Sequence, residues 1–221
     1  VDSTGDGANG DEYSIEYAPT SEGSFEIIAI ARDNDLPTQL SAMDISSAEA
    51  VGAKFVAPTA SGSGDGSDWA NAMALVDAIT ATNESDIGLP LYLLEGVYAV
   101  ASEIEFTNNV QLYGGFVGTE SSYADRPLHT GDVFNPFINT SNLDGGGATR
   151  ILSASEDLTL DRVVFQNGKF TAEAETQVGG GAVKAAGGNL TILDCEFTGN
   201  QALNSSGGAL YIAPGASVNI D

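Results

Sequence analysis

The chain has 221 residues, 42% of them hydrophobic, with 31 Asp and Glu against 7 Lys and Arg, 27 glycines, 1 cysteine and 1 histidine. A formal charge of −24 argues against electrostatic binding to nucleic acid or to an anionic membrane, and the apolar content argues against wholesale disorder. Cys195 has no partner for an intrachain disulfide, His129 stands alone against any multi-histidine metal site or His-dependent triad, and no apolar run is long enough to span a bilayer.

Residues 1–12 are an acidic lead rich in Gly, Asp, Asn and Ser/Thr, expected to be flexible. Asp2-x-Thr4-x-Asp6-Gly7 has the opening spacing of a calcium loop, although Tyr13 stands where an EF-hand places its bidentate Glu. A Ca²⁺ site at Asp2 and Asp6 is one reading, a solvated linker the other. The opening VDSTGDGANGDEY does not resemble a signal peptide, so an export signal is expected outside this chain.

Residues 13–50 alternate as strands do. Tyr13, Ile15 and Tyr17 share a face, as do Phe25, Ile27, Ala29 and Ala31, and a third strand begins between Leu40 and Ile45. The expectation is a small antiparallel β unit, with residues 46–53 as a linker to the larger remainder of the chain.

Lys54 to Thr59 reads as a strand and Ser61 to Ser67 as a Gly-Ser-Asp loop. Asp68 is placed to cap a helix from Trp69 to Thr82, with Trp69, Ala72, Met73, Val76 and Ile79 on one face. Strands are expected at Leu89 to Leu94 and Val110 to Tyr113. A long irregular excursion, Gly118 to Asn142, contains Arg126-Pro127, His129 and Phe134 to Phe137. A loop of that length is functional or packed on its scaffold.

The last forty residues repeat. Gly180-Gly181-Ala182-Val183 leads to Asn189-Leu190-Thr191-Ile192, and Gly207-Gly208-Ala209-Leu210 leads to Ser217-Val218-Asn219-Ile220, 27 to 28 residues later. Leu158 to Phe165 repeats in Leu190 to Phe197, with a polar insertion, Lys169 to Gly179, expected to protrude. A period in this range marks one supersecondary unit stacked on its neighbours. Each unit is too short for a helix and a strand, so the coils are strands and turns: a parallel β-helix. Paired glycines permit sharp corners. Phe197 fills the core, and Asn200 sits where an αL turn or an Asn ladder forms. Ala182, Val183, Leu190, Ile192, Phe197, Ala209, Leu210, Val218 and Ile220 are expected inside, and Cys195 is expected to be a buried, inert thiol.

The GGA-aliphatic and FxxN patterns, at Gly207 to Leu210 and Phe197 to Asn200, resemble the repeats of polymorphic outer-membrane proteins and related bacterial surface β-helices of the pectin-lyase-like superfold. Phe165 to Gly168 departs, its Asn one place early. Lys54 to Thr59, Gly62 to Ala70, Glu95 to Tyr98, Tyr113 to Glu120 and Leu143 to Gly147 extend the resemblance across roughly 53–221. Gly23 to Asp35 is similar to the closing strands of bacterial immunoglobulin-like or cadherin-like modules, which implies calcium at Asp33 and Asp35, a polar hairpin turn being the alternative.

The fold expected is therefore all-β: a right-handed parallel β-helix over 54–221 with a short capping helix, preceded by a partial immunoglobulin-like unit at 13–50. Three roles fit it. One is a secreted or cell-surface bacterial adhesin or stalk that meets another surface protein or a polysaccharide. The second is a carbohydrate-active lyase or hydrolase, and the third a filament subunit that self-associates through an open C-terminal coil. For catalysis, Arg162 and Lys184 are the cations expected to share an outer face, and Asp144, Asp157, Asp161 and Asp194 are scattered, without a motif around them.

Overall fold

A computed structural model describes residues 23–27, 46–50, 52–85, 88–127, 139–173 and 178–220. The chain divides into two compact units, Val1–Gly52 and Ala53–Asp221. In the first, β1 (Gly23–Ile27) and β2 (Ser46–Ala50) pair antiparallel, with Gly23 opposite Ala50 and Ile27 opposite Ser46. Part of the expected linker is thus a strand, because it supplies the backbone partners that β1 needs. The strands expected at Tyr13 to Tyr17 and Leu40 to Ile45 lie outside the described residues.

Among its described residues the second unit is built of β-strands apart from one short α-helix and two single 3₁₀ turns, and every described pairing in it is parallel. It opens with β3 (Lys54–Ala57), β4 (Met73–Ala74), α1 (Leu75–Glu84), β5 (Leu89–Leu94), β6 (Gly96–Ala99), β7 (Ile104–Phe106) and β8 (Val110–Phe116). Then come β9 (Ser141–Asp144), β10 (Leu152–Ala154), β11 (Leu158–Asp161), β12 (Val163–Gln166) and β13 (Lys169–Thr171). The last are β14 (Val183–Ala185), β15 (Asn189–Leu193), β16 (Glu196–Thr198), β17 (Gln201–Leu203), β18 (Leu210–Ile212) and β19 (Ser217–Ile220). One sheet has seven strands in the order β19-β15-β11-β8-β5-β3-β4; two have four, β16-β12-β9-β6 and β18-β14-β10-β7; β13 and β17 make a pair. From β5 onward the chain visits the seven-stranded sheet and the two four-stranded sheets in a fixed order, with β13 and β17 inserted in the last two full cycles, so from β8 onward each strand except β13 pairs with its counterpart one cycle earlier.

Register makes like side chains stack. Val110, Leu158, Leu190 and Val218 form one row, and Leu112, Leu160, Ile192 and Ile220 the next on the same face. The earlier members are buried, each contributing about 1.5–3 kcal/mol, whereas Val218 and Ile220 are 44% and 63% exposed. The expectation that Val218 and Ile220 are buried is corrected: they keep the inward register, but no described strand lies beyond β19 to cover them. Ala182, Val183, Leu190 and Ile192 are buried; Phe197, Ala209 and Leu210 are partly buried. Phe197 stacks on Phe165 with centroids 5.1 Å apart.

The repeated glycines lie where backbones crowd. Gly180 and Gly207 have φ of +86° and +74°, and the N–H groups of Gly180 and Gly181 donate to the carbonyls of Gly207 and Gly208 at 2.8 and 2.9 Å. A Cβ at Gly181 would fall 2.3 Å from the Gln201 carbonyl oxygen, so a side chain cannot enter without shifting backbone.

The helix expected from Trp69 to Thr82 is corrected. Asp68 does cap, accepting from the Asn71 N–H at 2.8 Å, but what it starts is a 3₁₀ turn, Trp69–Asn71. The chain then extends so that Met73 and Ala74 pair with Val56 and Ala57. That two-residue strand satisfies the outer edge of β3 and resets the helical phase. The α1 helix then buries Ala78 and Thr82 and leaves Val76 66% exposed. The Lys169 to Gly179 insertion is also corrected at its start: Lys169–Thr171 is β13, paired with β17.

Candidate functional site

Outward side chains on the seven-stranded sheet form two rows. One holds Phe55, Tyr92, Tyr113, Asp161 and Leu193; the other holds Pro90, Gln111, Thr159, Thr191 and Asn219. The segment 117–127, the described start of the long excursion, folds over the first row. Glu120 closes it: the buried carboxylate accepts from the N–H groups of Val117, Gly118 and Thr119, each at 2.9 Å. Trp69 Nε1 donates to the Glu120 carbonyl at 2.8 Å. The Trp69 ring meets Phe55 edge-on at 4.8 Å, and Tyr92 stacks on Phe116 at 4.6 Å.

At the centre lies a buried ion pair. Arg126 donates to Asp161 Oδ2 at 2.8 Å and to the Gly114 carbonyl at 3.0 Å, and Tyr123 Oη donates to the same Asp161 oxygen at 2.9 Å. The guanidinium carbon is 4.5 Å from the Tyr123 ring centroid, a cation–π contact. Tyr113 packs edge-on against Tyr123 at 4.8 Å. Burial raises the phenol pKa of both Tyr113 and Tyr123 above its usual value; the neighbouring Tyr123 and Asp161 add to this for Tyr113, and the Asp161 hydrogen bond and charge add to it for Tyr123.

The other two arginines of the second unit are also committed to loops. Arg162, at φ +54° in the corner between β11 and β12, donates to the Pro127 carbonyl at 2.7 Å. Arg150 is buried beside the insertion, donating to the carbonyls of Gly180, Val178 and Gly179 and to Glu103 Oε1 at 2.8 Å, with Phe170 under its guanidinium at 4.2 Å. Arg126 and Arg162 therefore hold one excursion and Arg150 the other.

The cations and carboxylates considered for catalysis are not brought together. Correcting the expectation of a shared face, Arg162 lies at a corner of the seven-stranded sheet and Lys184 on β14 of another sheet. Asp161 is sealed by Arg126, and Asp144 at the end of β9 accepts from Gly146, Asn167 and Gln166. The Gly146 backbone N–H and then the Asn167 side chain hold the Asp144 pKa below the usual carboxylate value. Asp157 accepts from the Asn189 N–H at 2.8 Å, and Asp194 is exposed at a corner with φ +47°. Cys195 is partly buried, its Sγ donates to the Leu193 carbonyl, and burial pushes its pKa up to about 12, so it is no nucleophile at neutral pH.

Of the repeat residues, Gly180, Gly181, Gly207 and Gly208 form the stacked corner described above. Asn200 bridges two cycles: its Oδ1 accepts from the Gly168 N–H at 2.7 Å and its Nδ2 donates to the Phe165 carbonyl at 2.9 Å. The left-handed positions beside it are Asn167 and Gly199, so the Asn that stands one place early occupies the αL residue of its own turn. Asp2, Asp6, Asp33 and Asp35, the calcium candidates, lie outside the described residues. Among the described residues no three His, Cys, Asp or Glu side chains converge as a metal site, and no helix is long and apolar enough to cross a membrane.

The anchoring roles of Tyr123, Glu120 and Arg150 are not visible in the repeat pattern. A signal existed for Arg150: among so few cations, an arginine followed directly by Ile151-Leu152 and strand β10 is placed for burial. No family model matches the chain, and neither a curated protein nor a solved structure matches it.

Proposed function

We propose that residues 54–221 form a right-handed parallel β-helix that serves at a bacterial cell surface, or after secretion, as a rigid scaffold displaying loops to a partner. The fixed cycle of parallel sheets supports the solenoid, and the preference of parallel crossovers supports its hand. The observation that carries the role is the use of arginine. Arg126, Arg150 and Arg162 each anchor an excursion to the sheets through hydrogen bonds to backbone carbonyls. Arg126 and Arg150 are buried, desolvated at a cost of several kcal/mol each, which is consistent with loops whose shape matters. An acidic exterior suits a surface that stays soluble while exposed. Calcium in the first unit, at Asp2, Asp6, Asp33 and Asp35, belongs to the same reading, because clustered carboxylates repel unless a cation intervenes.

The test is immunolabelling of intact source cells with antibody raised to residues 54–221, alongside culture supernatant. Label on unpermeabilised cells or in supernatant is the expected result; label only after permeabilisation refutes the role. Calorimetric titration with Ca²⁺ tests the metal separately, and no heat at millimolar calcium removes it.

A further inference from the structure

We propose that Tyr113 and Tyr123 are a modification site, at which a one-electron oxidant, hydrogen peroxide acting through a haem peroxidase, joins the two rings as dityrosine. The rings already touch. Tyr123, in the 3₁₀ turn Tyr123–Asp125, meets Tyr113 of β8 edge-on with centroids 4.8 Å apart, whereas Tyr92 stands 6.0 Å from Tyr113. Tyr123 is 43% exposed, so an oxidant in solution reaches it. Elsewhere, Tyr98 is only 3% exposed, and Tyr211 lies on β18 of another sheet.

The surroundings favour loss of an electron and a proton together. Tyr123 Oη donates to Asp161 Oδ2 at 2.9 Å, so the phenolic proton has an acceptor. The Arg126 guanidinium, 4.5 Å from the Tyr123 centroid, opposes positive charge on that ring, which makes the neutral phenoxyl radical the product. The Tyr113 hydroxyl lies 3.5 Å from Oε1 of the exposed Gln111, and its proton leaves to water. Two such oxidations leave a radical on each ring. The radicals couple through the carbons ortho to their hydroxyls; each of those carbons then loses its hydrogen as its oxygen regains a proton, restoring both phenols. The protein has lost two hydrogens, and one peroxide has become two waters. Rings held in contact react without the cost of bringing them together, and chains of charge −24 repel one another, so the bond forms within one molecule rather than between two. It fastens the 117–127 segment to β8 covalently, where the Arg126–Asp161 ion pair already holds it. The chemistry needs no cell-surface location, and its failure would leave the scaffold reading standing.

The test is to oxidise the folded 221-residue chain with a haem peroxidase and limiting hydrogen peroxide, then unfold it and cleave it after glutamate. Cleavage at Glu120 puts Tyr113 and Tyr123 on separate peptides. The two peptides should be found joined, at their summed mass less two hydrogens, with dityrosine fluorescence in the monomer band. Tyr113→Phe and Tyr123→Phe should each lose both signals, and Tyr211→Phe should keep them; thermal melts check that each variant is folded. Oxidation in urea should scatter the linkage over other tyrosines. Absence of the joined pair, fluorescence confined to covalent dimers, an undiminished signal in Tyr113→Phe, or the same pairing in urea overturns the inference.

Discussion

Thr82 is fully buried on α1, and its hydroxyl oxygen has no hydrogen-bond partner. Valine has nearly the same shape without the unsatisfied group, so Thr82→Val should stabilise the chain by about 1 kcal/mol, raising Tm by about 2–4 °C. Asn200 is the opposite case, since both ends of its amide are used. Asn200→Ala would strand the Gly168 N–H and the Phe165 carbonyl, at a cost of about 2 kcal/mol, read as a lower urea midpoint. Asp144 carries a pH dependence. Its folded pKa is depressed from 3.8, first by the Gly146 N–H, so its contribution is present above the unfolded value and lost as pH falls through the folded one. Stability should therefore drop below about pH 4, less steeply in Asp144→Asn; equal slopes in acid titrations of the two proteins would contradict this.

At the scale of elements, the loop anchors are the features most open to attack. Arg150 binds three carbonyls of residues 178–180 and Glu103 across the turn. Arg150→Ala should cost about 3 kcal/mol, and hydrogen exchange should accelerate first at 178–180 while β11 and β15 keep their protection. Uniform acceleration across all strands would show that the arginine holds the whole stack rather than one loop. The edge at β3 obeys the same logic of partial coverage. Met73 and Ala74 satisfy two residues of it, and the amphipathic pattern of residues 69–82 is cut by that pairing.

Across the whole molecule, acids outnumber bases 31 to 7, and both ion pairs among the described residues use buried arginines. The remaining surface repels itself over the Debye length, about 8 Å at physiological salt. Thermal stability should rise steadily as sodium chloride increases from about 10 mM to about 1 M; a flat or falling Tm would show that the acids are already neutralised in pairs. Protection in the 221-residue chain should also be lower in β19 than in β11 and β15, because Leu158, Leu160, Leu190 and Ile192 are buried while Val218 and Ile220 on the same inward rows are exposed.

Much of this was legible in one dimension. The repeat at 180–220, the alternation of Leu158, Leu190 and their neighbours, and the glycine corners are local in sequence, and each cycle restates the same backbone problem. All-β structure and the inward rows followed from that periodicity alone. What the sequence could not state was where the arginines go, which edge Met73 and Ala74 cover, and that Asp161 lies beneath Tyr123. Those contacts join residues 28–30 positions apart for Arg150 and the carbonyls of 178–180, 35 for Arg126 with Asp161 and Arg162 with Pro127, 38 for Tyr123 with Asp161, and 17 for Met73 with Val56. Periodicity specifies which face a side chain takes; only the packing of a loop on that face decides whether it meets solvent, an arginine or another strand.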